Sequence, residues 1–278
     1  MIYFVSDHHL GLGERTADKR REQDLIRFLK LIEADCEQLF ILGDLFDYWF
    51  EYNTVIPKEH IRLLVALAAL AERVPVHYLI GNHDFGHNTF FEDELGIRIY
   101  RSDLEITLHG KQFYLAHGDG KAWNDTGYLV LRSILRNHLA LWLWKWLHPD
   151  IGVGLAAAVS RRSRAYTSEK NYGNERDGLE CFAEQRIQAG ADFVLMGHLH
   201  KPVIKTFAGQ TPEGKQYCGT YINTGDWLTH RTFARFNSAT QQAELLLLDD
   251  FFVQVDTQTG YSLSSELLGG QSHQNDDR

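Results

Sequence analysis

The sequence predicts an α/β fold built on buried strands. Two observations carry that expectation. Short, uniformly apolar runs alternate with segments of helical periodicity, and those runs end in the same few polar residue types. The 278 residues suffice for one large domain or two small ones. One domain is expected over 1–268, with a polar, disordered tail over 269–278.

The first run, IYFV at 2–5, is apolar throughout, as a strand covered on both faces must be. A helical pattern at 24–34 (DLIRFLKLIEA) follows, then LFIL at 39–42. A second helical pattern at 59–74 leads to VHYLI at 76–80. QFYLA at 112–116 and DFVLM at 192–196 add two more strands. Residues 220–256 (TYINTGDW, RTFARFN, AELLLLDD) read as further strands with short turns, in an antiparallel or mixed second sheet.

Between the fourth and fifth runs lies a block of different character. NDTGYLVLRSILRNHLALWLWKWLHP is helical in pattern and stops at Pro149, and GVGLAAAVSRRSRAYTSEKNYG is a second helical stretch. Together they predict a helical lid inserted at about 122–172, carrying Trp123, Trp142, Trp144 and Trp146.

The net charge of −9 disfavours a general nucleic-acid binder. From Lys121 to Lys170, however, eight Lys/Arg face three Asp/Glu, so the insert is suited to an anionic partner. Three cysteines, none closely spaced, argue against a disulfide framework or a thiolate zinc site and fit a reducing, cytoplasmic setting. The start, MIYFVSDHH, lacks the features of a signal peptide, and no stretch of ~20 uncharged apolar residues predicts a spanning helix.

Function is written at the strand ends. IYFVS runs into Asp7-His8-His9; LFIL into Gly43-Asp44, with Asp47 beyond; HYLI into Gly81-Asn82-His83-Asp84; FYLA into His117-Gly118-Asp119; FVLM into Gly197-His198-Leu199-His200. A single Gly-Asp after a strand is an ordinary turn. Five such ends in one α/β chain converge, because ligands in open sheets sit beyond the carboxyl ends of the strands. Carboxylate, imidazole and amide oxygen without thiolate suit Mn, Fe, Zn, Co or Mg. The donors outnumber the needs of one ion; two ions ~3.5–4 Å apart, bridged by a carboxylate, would use them. His8, His60, His87 and His230 are expected to be surface or packing residues.

The series Asp-x-His, Gly-Asp-x-x-Asp, Gly-Asn-His-Asp, strand-end His and Gly-His-x-His over residues 7–200 resembles the calcineurin-like metallophosphoesterases. That resemblance implies a four-layer α/β/β/α sandwich holding two divalent ions, Mn2+ first among the candidates. It implies Asp7, His9, Asp44 and His200 on one ion. Asp44, Asn82, His117 and His198 hold the other, with Asp44 bridging. It implies a catalytic role for His83, contacting phosphate or donating a proton, with Asp84 orienting it.

Within those enzymes, HGDGKAWNDTGYLVLRSILRN, the Trp-rich stretch and SRRSRAYTSEK resemble the UDP-2,3-diacylglucosamine pyrophosphatase family of lipid A biosynthesis. The resemblance implies hydrolysis of a nucleotide-linked lipid to a lipid monophosphate and UMP. It implies substrate contacts at Asp125, Tyr128, Ser163 and Lys170, with Thr167 where the family has Asn. Arg132 and Arg161 join them as basic groups for phosphate. His83 stands where that family has Arg, and Ser160 where it has Arg. Peripheral contact of the insert with the cytoplasmic face of the inner membrane follows from this reading. Two other readings stand beside it: a divergent phosphodiesterase or phosphomonoesterase acting on another phosphorylated substrate, and a non-catalytic scaffold on the same fold.

Overall fold

The computed structural model describes residues 1–121, 137–152, 154–155 and 173–259. Strands β1 (Ile2–Val5), β2 (Gln38–Ile41), β3 (Val76–Leu79), β4 (Arg98–Tyr100), β10 (Thr232–Asn237) and β11 (Gln242–Leu247) form one sheet in the order β11-β10-β1-β2-β3-β4. Strands β5 (Leu104–Leu108), β6 (Lys111–Leu115), β7 (Phe193–Met196), β8 (Val203–Gln210) and β9 (Gln216–Asn223) form a second, in the order β5-β6-β7-β9-β8. Both are mixed: β1 to β4 pair in parallel, as do β6, β7 and β9, with antiparallel strands at the margins.

Strand periodicity distributes the apolar side chains between cores. Ile2 and Phe4 of β1 point between the sheets with Phe40, Leu79, Phe113, Leu115, Phe193 and Leu195. Phe4 stacks on Phe40 at 5.3 Å and on Phe113 of the other sheet at 6.0 Å. Tyr3 and Val5 point the other way, under helices α1 (Arg15–Ile32), α2 (Ile61–Ala71) and α6 (Leu248–Thr259), where they meet Phe28, Leu67 and Phe251. On the outer face of the second sheet, Tyr114, Val194 and Met196 lie under α5 (Gly173–Gln188), against Leu179, Ala183 and Ile187. The order across the molecule is therefore helix, sheet, sheet, helix. Two short helices, α3 (Phe90–Asp93) and α4 (His138–Trp144), lie in the connections.

Residues 220–256 do not form a sheet of their own, contrary to the sequence expectation. β9 joins the second sheet, whereas β10 and β11 extend the first. The run AELLLLDD also changes state partway. Leu245 serves the inter-sheet core, and Leu248, whose N–H donates to the Arg231 carbonyl at 2.7 Å, begins α6 on the outer face. Asp249 and Asp250 then occupy the first turn, where negative charge is favoured. In the insert, Trp144 lies against Phe50 (ring centroids 6.0 Å), and a side chain at Gly152 would collide with the Tyr52 hydroxyl.

Candidate metal centre

The parallel strands of both sheets end on one side of the molecule, and the loops leaving β1, β2, β3, β6 and β7 meet there. The backbone at this place is bent against its preference. Asp7, His9, Asp44, His198 and His200 have φ of 53°, 47°, 53°, 71° and 55°, left-handed values that non-glycine residues rarely adopt. Such strain persists only where the surroundings over-determine it, and it concentrates at functional sites. Glycines supply the closest approaches. A Cβ on Gly43 would come within 2.6 Å of His117 Nδ1, and one on Gly81 would run into the Asp44 carboxylate.

Two carboxylates are held alike. Asp7 Oδ2 accepts from the His198 amide at 2.9 Å and from the Ser6 hydroxyl, and its Oδ1 is buried without a hydrogen-bond partner. Asp44 Oδ1 accepts from the His83 amide at 2.8 Å, and its Oδ2 faces inward. Around these inward oxygens the imidazoles form two groups. Asp7 Oδ1 lies 3.3 Å from His200 Nε2 and 3.7 Å from His9 Nε2, and the two imidazole nitrogens are 3.0 Å apart. Asp44 Oδ2 lies 3.3 Å from His117 Nε2 and 3.8 Å from His9 Nε2, so it faces both groups. Asn82 Oδ1 completes the second group, 2.8 Å from His117 Nε2 and 3.0 Å from His198 Nδ1. His117 Nδ1 donates to the Leu42 carbonyl at 2.8 Å, which leaves Nε2 as the nitrogen facing the centre, able to offer a lone pair once it gives up its proton.

All seven positions expected to bind metal are thus brought together in two sets that share Asp44. The orphaned Asp7 oxygen and the oxygen-and-imidazole donor set fit hard or borderline divalent ions. On proximity alone His83 also qualifies, since its donor atom clusters with those of His9 and Asp44.

Burial pushes both carboxyls up, yet the surrounding imidazoles outweigh it. His200 and His9 hold Asp7 well below the usual carboxylate range, and the charge of His117 does so for Asp44. Burial also opposes a charged His117, but Asp44 and Asp7 push its pKa up to about 10. The free centre therefore carries a proton that a metal ion must displace. His83 moves the other way, down to about 4, chiefly through burial, with the charge of Asp44 pulling back.

Asp84, expected to orient His83, is placed to do so through the backbone of the loop rather than at the ring. Its carboxylate accepts from the amides of Gly81 and Leu45, both at 2.8 Å, from Phe46 at 3.4 Å, and from the Tyr78 hydroxyl. It ties the β3 loop to the β2 loop through the backbone. The carboxylate beside the His83 ring is Asp47, with Oδ1 at 3.5 Å and its carbonyl at 3.3 Å from His83 Nδ1. Asp47 Oδ1 is also 3.5 Å from His9 Nδ1. Asp226 stands behind His200, 3.9 Å from Nδ1, and bonds His230 at 3.0 Å. The sequence offered a signal for Asp226, because β9 runs into Asn223-Thr224-Gly225-Asp226, a sixth strand end of the same chemistry. His8, His60 and His87 are buried packing residues; His8 lies 4.2 Å from the Trp227 ring. The positions expected to contact substrate, Asp125, Tyr128, Arg132, Arg161, Ser163, Thr167 and Lys170, lie outside the described residues.

Comparison with known proteins agrees with this geometry. The family model for calcineurin-like phosphoesterases matches residues 1–202. A UDP-2,3-diacylglucosamine hydrolase of Porphyromonas gingivalis is 31% identical over 256 residues, covering 86% of this chain and 95% of that protein. Proteins of the same name from Edwardsiella ictaluri and Nitrosococcus oceani are 27% and 30% identical, covering 84% and 81% of this chain and 88% and 86% of theirs.

Proposed function

The chain belongs to the calcineurin-like phosphoesterase family, and we propose that it hydrolyses the pyrophosphate of UDP-2,3-diacylglucosamine to a lipid monophosphate and UMP. The observations that support this reading are a two-set donor centre and a Trp-rich segment whose Trp144 packs on Phe50, in the loop after β2, and whose Trp142 and Trp146 are exposed. A phosphoanhydride calls for the first, and acyl chains use the second. The relatives' shared name supports the same substrate.

In this reading Asp7, His9, Asp44 and His200 hold one divalent ion, and Asp44, Asn82, His117 and His198 the other; Mn2+ is the first candidate. Bound ions supply Lewis-acid chemistry, activating water for attack and neutralising phosphoryl charge. The protein's own groups do the rest. Amide bonds to Asp7 Oδ2 and Asp44 Oδ1 aim the opposite oxygens inward before any ligand arrives. His83 is held by Asp47 at the rim of this cluster, and burial keeps its imidazole neutral at pH 7 in the metal-free centre. An incoming phosphate raises its pKa, so the imidazole takes up a proton and can donate it to the departing oxygen. The insert, spanning about 122–172, acts as the lid. Asp125, Tyr128, Arg132, Arg161, Ser163, Thr167 and Lys170 are assigned to the sugar and phosphates, and the apolar residues to the acyl chains and the membrane interface.

One observation favours a second reading. His83 stands where the resemblance to the lipid enzymes implies Arg, and a soluble phosphodiester or phosphomonoester substrate needs no such Arg. The scaffold reading is disfavoured, because every donor position and His83 are present. Purified protein with Mn2+ should release UMP from UDP-2,3-diacylglucosamine, with bis-p-nitrophenyl phosphate assayed alongside. Hydrolysis of the generic diester alone would refute the lipid substrate and favour the second reading.

A further inference from the structure

α2, IRLLVALAALA, contains one charged residue. Its inner face is committed: Leu63, Leu64, Leu67 and Leu70 are buried in the core under the first sheet. The outer face is apolar too, with Ile61 and Val65 at 47% and 63% exposure and Val55, in the preceding loop, at 46%. A helix apolar on every side is ordinarily covered on every side. Here nothing among the described residues covers the outer one.

α1 packs beside α2 and presents a different chemistry. Arg15, Thr16, Lys19, Arg20 and Gln23 lie together on one open face of its first turns. Lys19 is paired with Glu22, whereas Arg15 and Arg20 are exposed and make no ion pair with the described residues. Over the first turns of the two helices and the loop before α2, Lys19 pairs with Glu22 and Arg21 with Asp18, which leaves Arg15, Arg20, Lys58 and Arg62 against the exposed acids Glu14 and Glu59. In a chain of net charge −9, this local excess of positive charge is set against the overall balance. Topology fixes where it lies. α1 follows β1 and α2 follows β2, both parallel strands, so both helices begin at the end of the sheet that carries the metal centre.

We propose that the first turns of α1 and α2 form a membrane-docking face for an anionic lipid bilayer, separate from the insert. Val55, Ile61 and Val65 enter the headgroup boundary, while Arg15 and Arg20 take lipid phosphates, the combination that holds interfacial helices on anionic membranes. A partner protein with an apolar face would meet the helix but leave the neighbouring arginines without counter-charge. The bilayer satisfies both. The face begins at the end of the sheet that carries the metal centre, and docking by it does not depend on which phosphoester is hydrolysed.

Flotation of the full chain with vesicles of phosphatidylcholine, with and without phosphatidylglycerol, tests the face without any nucleotide lipid present. Binding should require the anionic lipid and fall with salt. Arg15→Gln/Arg20→Gln should weaken it roughly thirtyfold, about fivefold per neutralised residue. Ile61→Gln/Val65→Gln should weaken it about tenfold or more on the same vesicles. Both pairs should leave hydrolysis of bis-p-nitrophenyl phosphate unchanged. Equal binding to neutral vesicles would overturn the proposal. So would binding that both pairs leave intact while Trp142→Ser/Trp146→Ser abolishes it, which would assign membrane contact to the insert alone. A dimer in solution that Ile61→Gln/Val65→Gln dissolves would make the face a subunit interface and overturn it as well.

Discussion

Asp84→Ala should destabilise the protein by about 3–6 kcal/mol and disorder the Asn82-His83 loop. The magnitude follows from what the carboxylate holds. It is fully buried and accepts from three amides, those of Gly81, Leu45 and Phe46, and from the Tyr78 hydroxyl. Hydrogen bonds to a charged acceptor contribute about 1.5–3 kcal/mol each, and each buried donor left without a partner costs about 1–3 kcal/mol. The loss is capped below the sum, because the loop can relax and admit water. Tyr78→Phe removes one donor and leaves the amides paired, so about 1.5–3 kcal/mol is expected. The two residues share one interaction, so Asp84→Ala/Tyr78→Phe should be little worse than Asp84→Ala alone. Urea unfolding of the four proteins in chelator, with metal content measured separately, supplies the cycle. Additive losses would refute the shared hydrogen bond. An Asp84→Ala protein within about 0.5 kcal/mol of the parent would refute the anchoring role altogether.

Three further outcomes are expected. His83→Ala should keep its metal ions and lose about 10²–10⁴-fold in kcat; a variant with empty sites would instead make His83 a ligand. His77 stacks on Phe40 at 4.5 Å, and burial, then the charge of Arg98, pushes its pKa from 6.5 down to about 4. Its folded pKa lies below the unfolded one, so its contribution is whole above about pH 6.5 and is lost as pH falls towards 4. His77→Gln should remove about 1–2 kcal/mol of that pH dependence, allowing for partial solvent screening, as read by urea unfolding from pH 4 to 8. Stripping the metals with chelator should lower stability by about 2.7 kcal/mol per site, compared with Mn2+ at a hundred times its dissociation constant; an unchanged melting temperature would count against bound ions.

The site was more legible in the sequence than the fold around it. Strands covered on both faces read as unbroken apolar runs, and the donors follow them directly, so Asp7 to His200 could be chosen from local pattern. What escaped was set by tertiary context. Among its described side chains α5 buries Leu179, Ala183 and Ile187, with Phe182 half-buried beside them, a narrow stripe amid charges and two glycines that is too thin a signal to read as a helix. β8 is exposed or half-exposed along its length, so no alternation marks it. In AELLLLDD the change from strand to helix depends on the Arg231 carbonyl and on a core that changes sides, neither of which is local. Asp84 looked like a partner for the adjacent His83. The turn sends its carboxylate back to the backbone of the β2 loop and brings Asp47 to the ring.

The central claim is two ion sites that share Asp44, and metal stoichiometry tests it most directly. The parent protein, stripped and dialysed against Mn2+, should hold two equivalents by elemental analysis. Asp44→Asn should lose both at the same free concentration, whereas His200→Gln and His117→Gln should each lose one. One equivalent in the parent, or two in Asp44→Asn, would contradict the account.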